Sequence, residues 1–198
     1  MPRAGLTPAR VVAEAAAIAD ADGLEALTLA ALADRTGVRV PSLYKHVRGL
    51  PEIRRRLALD GLADLGRRLA EAAAGAVPRE AALQEVAAAY RRFARSSPGR
   101  YAAAQRAPDP GDEEWARASG RVASVLFDLL TAYDVPEAGR IHAARAVRAA
   151  LHGFVDLERA GGFGLPEDVD ESYRRLVDLL DLGLRGAPAG QRGARGGS

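Results

Sequence analysis

At 198 residues, with 48% hydrophobic and 27% charged side chains and a formal net charge of only +2, the chain has the balance of one or two small soluble domains and ample material for a buried core. It contains no cysteine, which excludes disulfides, thiolate zinc sites and thiol catalysis. No apolar run nears the roughly 18–20 residues of a membrane-spanning helix, and MPRAGLTPAR lacks a signal-peptide core, so the expected location is cytoplasmic with no membrane partner.

Taken in chain order, Thr7 is placed to cap a helix running to about Asp22, with Val11, Ala15 and Ile18 along its inner stripe. The stretch Leu27–Val47 reads as two short helices joined at Thr36-Gly37-Val38. Thr28 caps the first, and Leu29, Leu32 and Ala33 give it an apolar face. Gly37 supplies the permissive backbone of a sharp turn. Pro41 sits in the first turn of the second helix, where a missing N–H costs nothing. That helix is expected to bury Leu43 and Val47 and to turn Ser42, Tyr44, Lys45 and His46 outward.

A longer helix begins near Pro51, carries Ile53, Leu57, Gly61 and Leu65 on one face and extends towards Ala74, before a break at Gly75-Ala76-Val77-Pro78. Further helices are predicted over about 79–95, 98–105, 113–133, 137–160 and 168–184, separated by Pro- and Gly-containing breaks at 106–112, 134–136 and 161–166. The terminal GAPAGQRGARGGS lacks apolar content and is expected to be a disordered tail. No segment alternates like a strand. The fold class is therefore all-α, with about nine helices: a helix-turn-helix head over 1–50, a larger helical domain over 51–185 and a tail over 186–198.

Two short helices joined at a glycine also occur in proteins that never touch DNA, so charge is needed to decide. Residues 34–56 hold Arg35, Arg39, Lys45, Arg48, Arg54, Arg55 and Arg56 against Asp34 and Glu52, a net +5 within a chain of +2. Such a concentration beside a candidate recognition helix is the footprint of phosphate contacts; the bland alternative for Arg54–Arg56 is a solvated helix face. Lys45 is the one lysine in the chain. A compact ammonium there suits a phosphate or a guanine edge.

Residues 7–65 resemble the N-terminal domain of the TetR family of bacterial one-component regulators. The resemblance is carried by Thr7-Pro8, Gly23-Leu24, Leu27-Thr28-Leu29, Leu32-Ala33, Thr36-Gly37-Val38 and, above all, Pro41-Ser42-Leu43-Tyr44-Lys45-His46-Val47. Leu50 stands where the family usually places a lysine or arginine, which leaves Arg48 or Arg54 to supply that phosphate contact. A second stretch, Ala150-Leu151-His152-Gly153-Phe154-Val155-Asp156-Leu157-Glu158 with Gly161-Gly162-Phe163, resembles the family's W-H-G type of regulatory domain, with Leu151 in place of tryptophan.

The resemblance implies a DNA-binding transcriptional regulator, most readily a repressor: a homodimer on a pseudo-palindromic operator of double-stranded DNA, released by a small-molecule effector of unknown identity. Its DNA-contacting set would be Thr28, Arg39, Val40, Pro41, Ser42, Tyr44, Lys45, His46 and Arg48. Gly153, Leu176, Val177, Leu180 and Leu184 are expected at the dimer interface, with completion of the monomer's own core as the alternative for the leucines and valine. Gly153, inside a long helix, should serve close packing, because glycine there costs about 1 kcal/mol against alanine. Trp115, Phe127, His142 and His152 are the candidate ligand-binding residues, the histidines because a polar group on an apolar face needs a partner. An activator of the same fold and a ligand-binding protein with a degenerate head are the competing readings.

No chemistry competes. The three histidines, His46, His142 and His152, have no metal-ligand spacing, no G-x-S-x-G elbow exists, and the Gly161–Gly164 run lacks the lysine and hydroxyl of a phosphate loop. No cofactor, metal or catalytic residue is expected, and the chain is not read as an enzyme.

Overall fold

The computed structural model describes residues 6–76 and 81–186; the tail from 187 and the residues at 77–80 lie outside them. Nine α-helices and no strand occur among the described residues: α1 (Pro8–Asp22), α2 (Leu29–Thr36), α3 (Val40–Leu43), α4 (Leu50–Gly75), α5 (Ala82–Ser96), α6 (Pro98–Ala104), α7 (Glu113–Ala132), α8 (Glu137–Arg159) and α9 (Val169–Arg185). No described helix is long and apolar enough to cross a membrane.

The chain divides into two compact units. The first comprises residues up to Gly66 together with Phe93–Ser119; the second comprises Arg67–Arg92 and the residues from Gly120 onward. The division falls inside α4, α5 and α7, so each of these helices supplies residues to both units.

In the first unit, α1 starts where Thr7 accepts the Arg10 N–H at 3.2 Å and Pro8 opens the first turn. Val11, Ala15 and Ile18 are buried, joined by Val12 and Ala19. Leu27, Leu32, Leu43, Ile53 and Leu57 of the same unit are likewise without solvent exposure. The helix pair α1 and α6 lies unusually close. A methyl group added at Gly99 would sit 2.2 Å from the backbone of Ala19, and one at Gly61 would sit 2.6 Å from the carbonyl of Arg100. Asp20 closes the junction, accepting the N–H groups of Gly99 and Arg100 at 2.8 and 3.2 Å and pairing with the Arg100 guanidinium.

The second unit has its own core, built on Leu83, Leu130, Val147, Leu151, Val155 and Val177. Tyr173 is buried with its hydroxyl donating to the Ala87 carbonyl at 2.8 Å, which satisfies the one polar atom of an otherwise apolar side chain. Burial pushes its phenol pKa upward.

Candidate nucleic-acid interface and regulatory cavity

The turn between α2 and α3 is made by local chemistry. Thr28 caps α2 by accepting the Ala31 N–H at 3.1 Å. At the other end Gly37 adopts the left-handed conformation (φ 69, ψ 29), and its N–H and that of Val38 return to the last carbonyls of α2. Thr36 ties down the Leu32 carbonyl with its hydroxyl at 2.7 Å. α3 follows with Pro41 in its first turn.

The helix expected through His46 is shorter in the structure. It ends at Leu43, because the N–H groups of Lys45 and His46 bond three residues back, to Ser42 and Leu43, and the chain tightens into a turn. Leu43 and Val47 are buried as expected. Tyr44 is 56% exposed, Arg39, Pro41, Lys45 and Arg48 are exposed, and Val40, Ser42 and His46 are half-buried. Thr28 is exposed while its oxygen caps α2.

The basic stretch splits into two groups. Arg35 pairs with Glu14 at 2.7 Å, Arg54 with Glu25 at 3.6 Å and Arg56 with Glu52 at 2.7 Å. Arg55 forks onto Asp112 at 2.6 and 2.7 Å and reaches Glu114 at 2.9 Å. Glu52 also accepts the backbone N–H of Arg48 at 2.5 Å; this bond, with the Arg56 guanidinium, holds its carboxyl below the usual range. Arg39 and Lys45 have no acidic partner among the described residues, while Arg48 lies beside Glu52. The cations without an ion pair are thus those flanking Tyr44 rather than Arg55 and Arg56.

The four candidate ligand residues do not converge. Trp115 is buried in the first turn of α7, in the first unit, against a cavity of about 240 Å³ bordered by Leu50, Pro51, Arg54 and Arg106. Phe127, His142 and His152 belong to the second unit; His142 is exposed, and Phe127 and His152 are half-buried. A cavity of about 640 Å³ does open in that unit, but none of them lines it. Its walls come from Ala70, Ala73 and Ala74 of α4, Ala82 of α5, Val125, Asp128, Leu129 and Ala132 of α7, Tyr133 and Asp134 just after it, and Arg185 of α9. α8 turns His142 to solvent, so its polarity needs no internal partner.

Comparison with known proteins follows this architecture. Residues 83–180 match the family model described as "Tetracyclin repressor-like, C-terminal domain". The chain is 37% identical over 184 residues to the uncharacterized HTH-type transcriptional regulator YobS of Bacillus subtilis, covering 92% of this chain and 95% of YobS. The chain belongs to the TetR family. A second relative, the uncharacterized HTH-type transcriptional regulator Rv0681 of Mycobacterium tuberculosis, is 35% identical over 91% of this chain and 83% of its own. Among solved structures, a protein of unknown function from Rhodococcus sp. RHA1 superposes with a TM-score of 0.77 at 25% identity, covering 93% of this chain and 98% of that one. Both relatives of this TetR-family chain are named as HTH-type transcriptional regulators.

In this TetR-family chain the residues expected to pair two copies fall into two classes. Val177 is 1% exposed and Leu184 is also buried, so both complete the subunit's own core and leave little to offer a partner. Leu176 and Leu180 remain half-buried. The side chains that α9 does present are Leu179 and Leu182, 67% and 66% exposed, which the periodicity did not single out. Gly153 on α8 has nothing within 4 Å of an added methyl group, so none of the described helices makes the close approach expected there. Ile141 and Leu157 of the same helix are also exposed.

Proposed function

We propose that this TetR-family chain is a ligand-responsive repressor that binds a pseudo-palindromic operator as a homodimer. One observation carries the reading: beside the exposed Tyr44, Arg39 and Lys45 have no acidic partner among the described residues, whereas the neighbouring Arg35, Arg55 and Arg56 are held in ion pairs. A short helix bearing an exposed phenol and uncompensated cations is suited to the major groove. Val40, Pro41, Ser42 and Tyr44 meet thymine methyls or backbone; Arg39, Lys45 and His46 supply hydrogen bonds to base edges or phosphates; Thr28 and Arg48 contact flanking phosphates.

The dimer face is supported by Leu179 and Leu182, exposed large apolar side chains one turn apart on α9. They lead it, with Leu176, Leu180 and the open space at Gly153 alongside. The effector enters the second unit, to which α4 contributes Arg67–Gly75 while its first part belongs to the head. Such a ligand acts through unequal affinity for the DNA-bound and released states of the dimer.

The test is selection of bound fragments from random duplex DNA at about 0.15 M salt, where non-specific binding is weak. The expected product is a two-fold symmetric motif. Tyr44→Ala and Lys45→Ala should each weaken binding to it by about 1–3 kcal/mol, and Arg48→Ala should lower the salt slope by about one unit. Unchanged affinity in both of the first two variants would sink the assignment.

A further inference from the structure

We infer that the cavity of about 240 Å³ in the first unit takes a small aromatic carboxylate. This site is separate from the second unit, to which the effector is assigned above, and it stands or falls independently of the repressor reading. All of its lining residues, from the start of α4, the segment after α6 and the first turn of α7, belong to the first unit.

The observation that carries the inference is a buried donor with nothing to bond. Arg54 Nε is closed off from solvent and has no hydrogen-bond acceptor, the one side-chain polar atom so left among the described residues. Folding has thus stripped water from a cationic N–H and returned nothing, which is costly unless a further group supplies the acceptor. The far end of the same guanidinium is held loosely. Its Nη2 lies 3.6 Å from a Glu25 carboxylate that is 85% exposed, beyond hydrogen-bond range. The guanidinium can therefore turn onto a ligand without breaking a bond that the subunit needs.

The neighbours fix the sign of the ligand. Arg55 and Asp112, both on the wall, cancel each other through two hydrogen bonds at 2.6 and 2.7 Å. Arg106 also borders the cavity and has no acidic partner among the described residues. The one wall carboxylate outside an ion pair is Asp109, exposed in the same loop. Arg54 and Arg106 thus outnumber it, and an excess positive charge remains for an entering anion. A carboxylate accepts from a guanidinium two N–H groups at a time.

The remaining wall sets the body of that anion. Trp115, itself buried, lines the cavity with Leu50, Pro51 and Ala107. An indole beside a proline ring and a leucine offers flat apolar surface and favours the same in return. An apolar site of about 150 Å³ holds a benzene ring, so this volume suits a single ring carrying its carboxylate.

Trp115 is the single tryptophan of the chain, so its emission reports on this cavity. Benzoate, benzamide, acetate and inorganic phosphate are titrated into the full chain at neutral pH, with tryptophan emission and calorimetry as readouts. Benzoate should shift the emission and bind at least about tenfold more tightly than benzamide, which keeps the ring but loses the charge. Acetate and phosphate should bind more weakly than benzoate. In Arg54→Met, benzoate should fall to the level of benzamide, with benzamide binding unchanged. Without ligand the same variant should melt no lower than the wild type, because it removes an unsatisfied donor and keeps an apolar stem. Arg106→Gln, a change at an exposed side chain, should weaken benzoate several-fold with an unaltered melting curve. Equal binding of benzoate and benzamide, no binding of benzoate, or a preference that survives in Arg54→Met overturns the inference. So does phosphate binding as tightly as benzoate, which would mark Arg54 as a contact for the DNA backbone instead. A lower melting temperature in Arg54→Met would assign the guanidinium to the subunit's own stability and overturns it as well.

Discussion

Glu158 of α8 grips Arg91 of α5 through two hydrogen bonds, to Nε at 2.9 Å and to a terminal nitrogen at 2.5 Å. Both side chains are nearly out of solvent. Asp170, in the first turn of α9, takes a third donor at 2.7 Å, and the guanidinium lies 4.7 Å from the Tyr173 ring centre. A buried cation so placed is costly to orphan but contributes little net stability as a pair. Glu158→Leu should therefore destabilise the protein by about 3 kcal/mol, while Arg91→Met combined with Glu158→Leu should recover most of that loss. Urea unfolding of the two variants decides it; equal midpoints would mean that the network is not coupled.

The first unit depends on two glycines for a different reason. Any side chain at Gly99 collides with the backbone of Ala19, and at Gly61 with the Arg100 carbonyl, and backbone cannot swing aside as a side-chain tip can. Gly99→Ala and Gly61→Ala should each cost about 1–3 kcal/mol. Trp115, the single tryptophan, sits in the same unit and reports the loss by fluorescence during denaturant unfolding. Wild-type midpoints in both would show that α6 does not approach this closely.

Gly153 makes the opposite case. Within one chain an added methyl meets nothing, so Gly153→Ala should gain about 1 kcal/mol of helix stability in the isolated subunit. If a second copy packs there, the same methyl weakens association. We expect the variant to dissociate at a higher protein concentration than the wild type in sedimentation equilibrium. An unchanged dissociation constant would remove Gly153 from the interface.

Asp112 caps α7 by accepting the Trp115 N–H at 3.0 Å, and the Arg55 fork pulls its carboxyl down to about 2. A depressed folded-state pKa contributes stability that is complete above the unfolded value of about 3.9 and is lost as pH falls through the folded one. The contact should thus persist at pH 4 and open as the pH approaches 2. Trp115 emission should titrate in that window, and Asp112→Asn should abolish the transition. A midpoint near 4 would show that Arg55 does not hold the carboxyl.

The head was readable because its determinants are local. Thr7 and Thr28 bond N–H groups three residues on, Gly37 answers a backbone angle, and Pro41 occupies a position that needs no donor; the helix starts predicted from these residues agree with the structure, although α3 stops at Leu43, three residues short of His46. α9 shows where such reading stops. Leu176, Val177, Leu179, Leu180, Leu182 and Leu184 place apolar groups almost all round the helix, so periodicity could not phase it, and the core took Val177 and Leu184 while leaving Leu179 and Leu182 outside.

Charge behaved the same way. Arg54, Arg55 and Arg56 read as a basic run, yet the acid that claims Arg55 lies 57 residues further along the chain. Sequence alone therefore determined the helices, their caps and the recognition turn, because these follow from hydrogen bonds and torsions spanning a few residues. Tertiary structure decided which cations are left without an ion pair, which leucines face outward and which carboxylates border the cavity, because each depends on residues that only folding brings within a few ångströms.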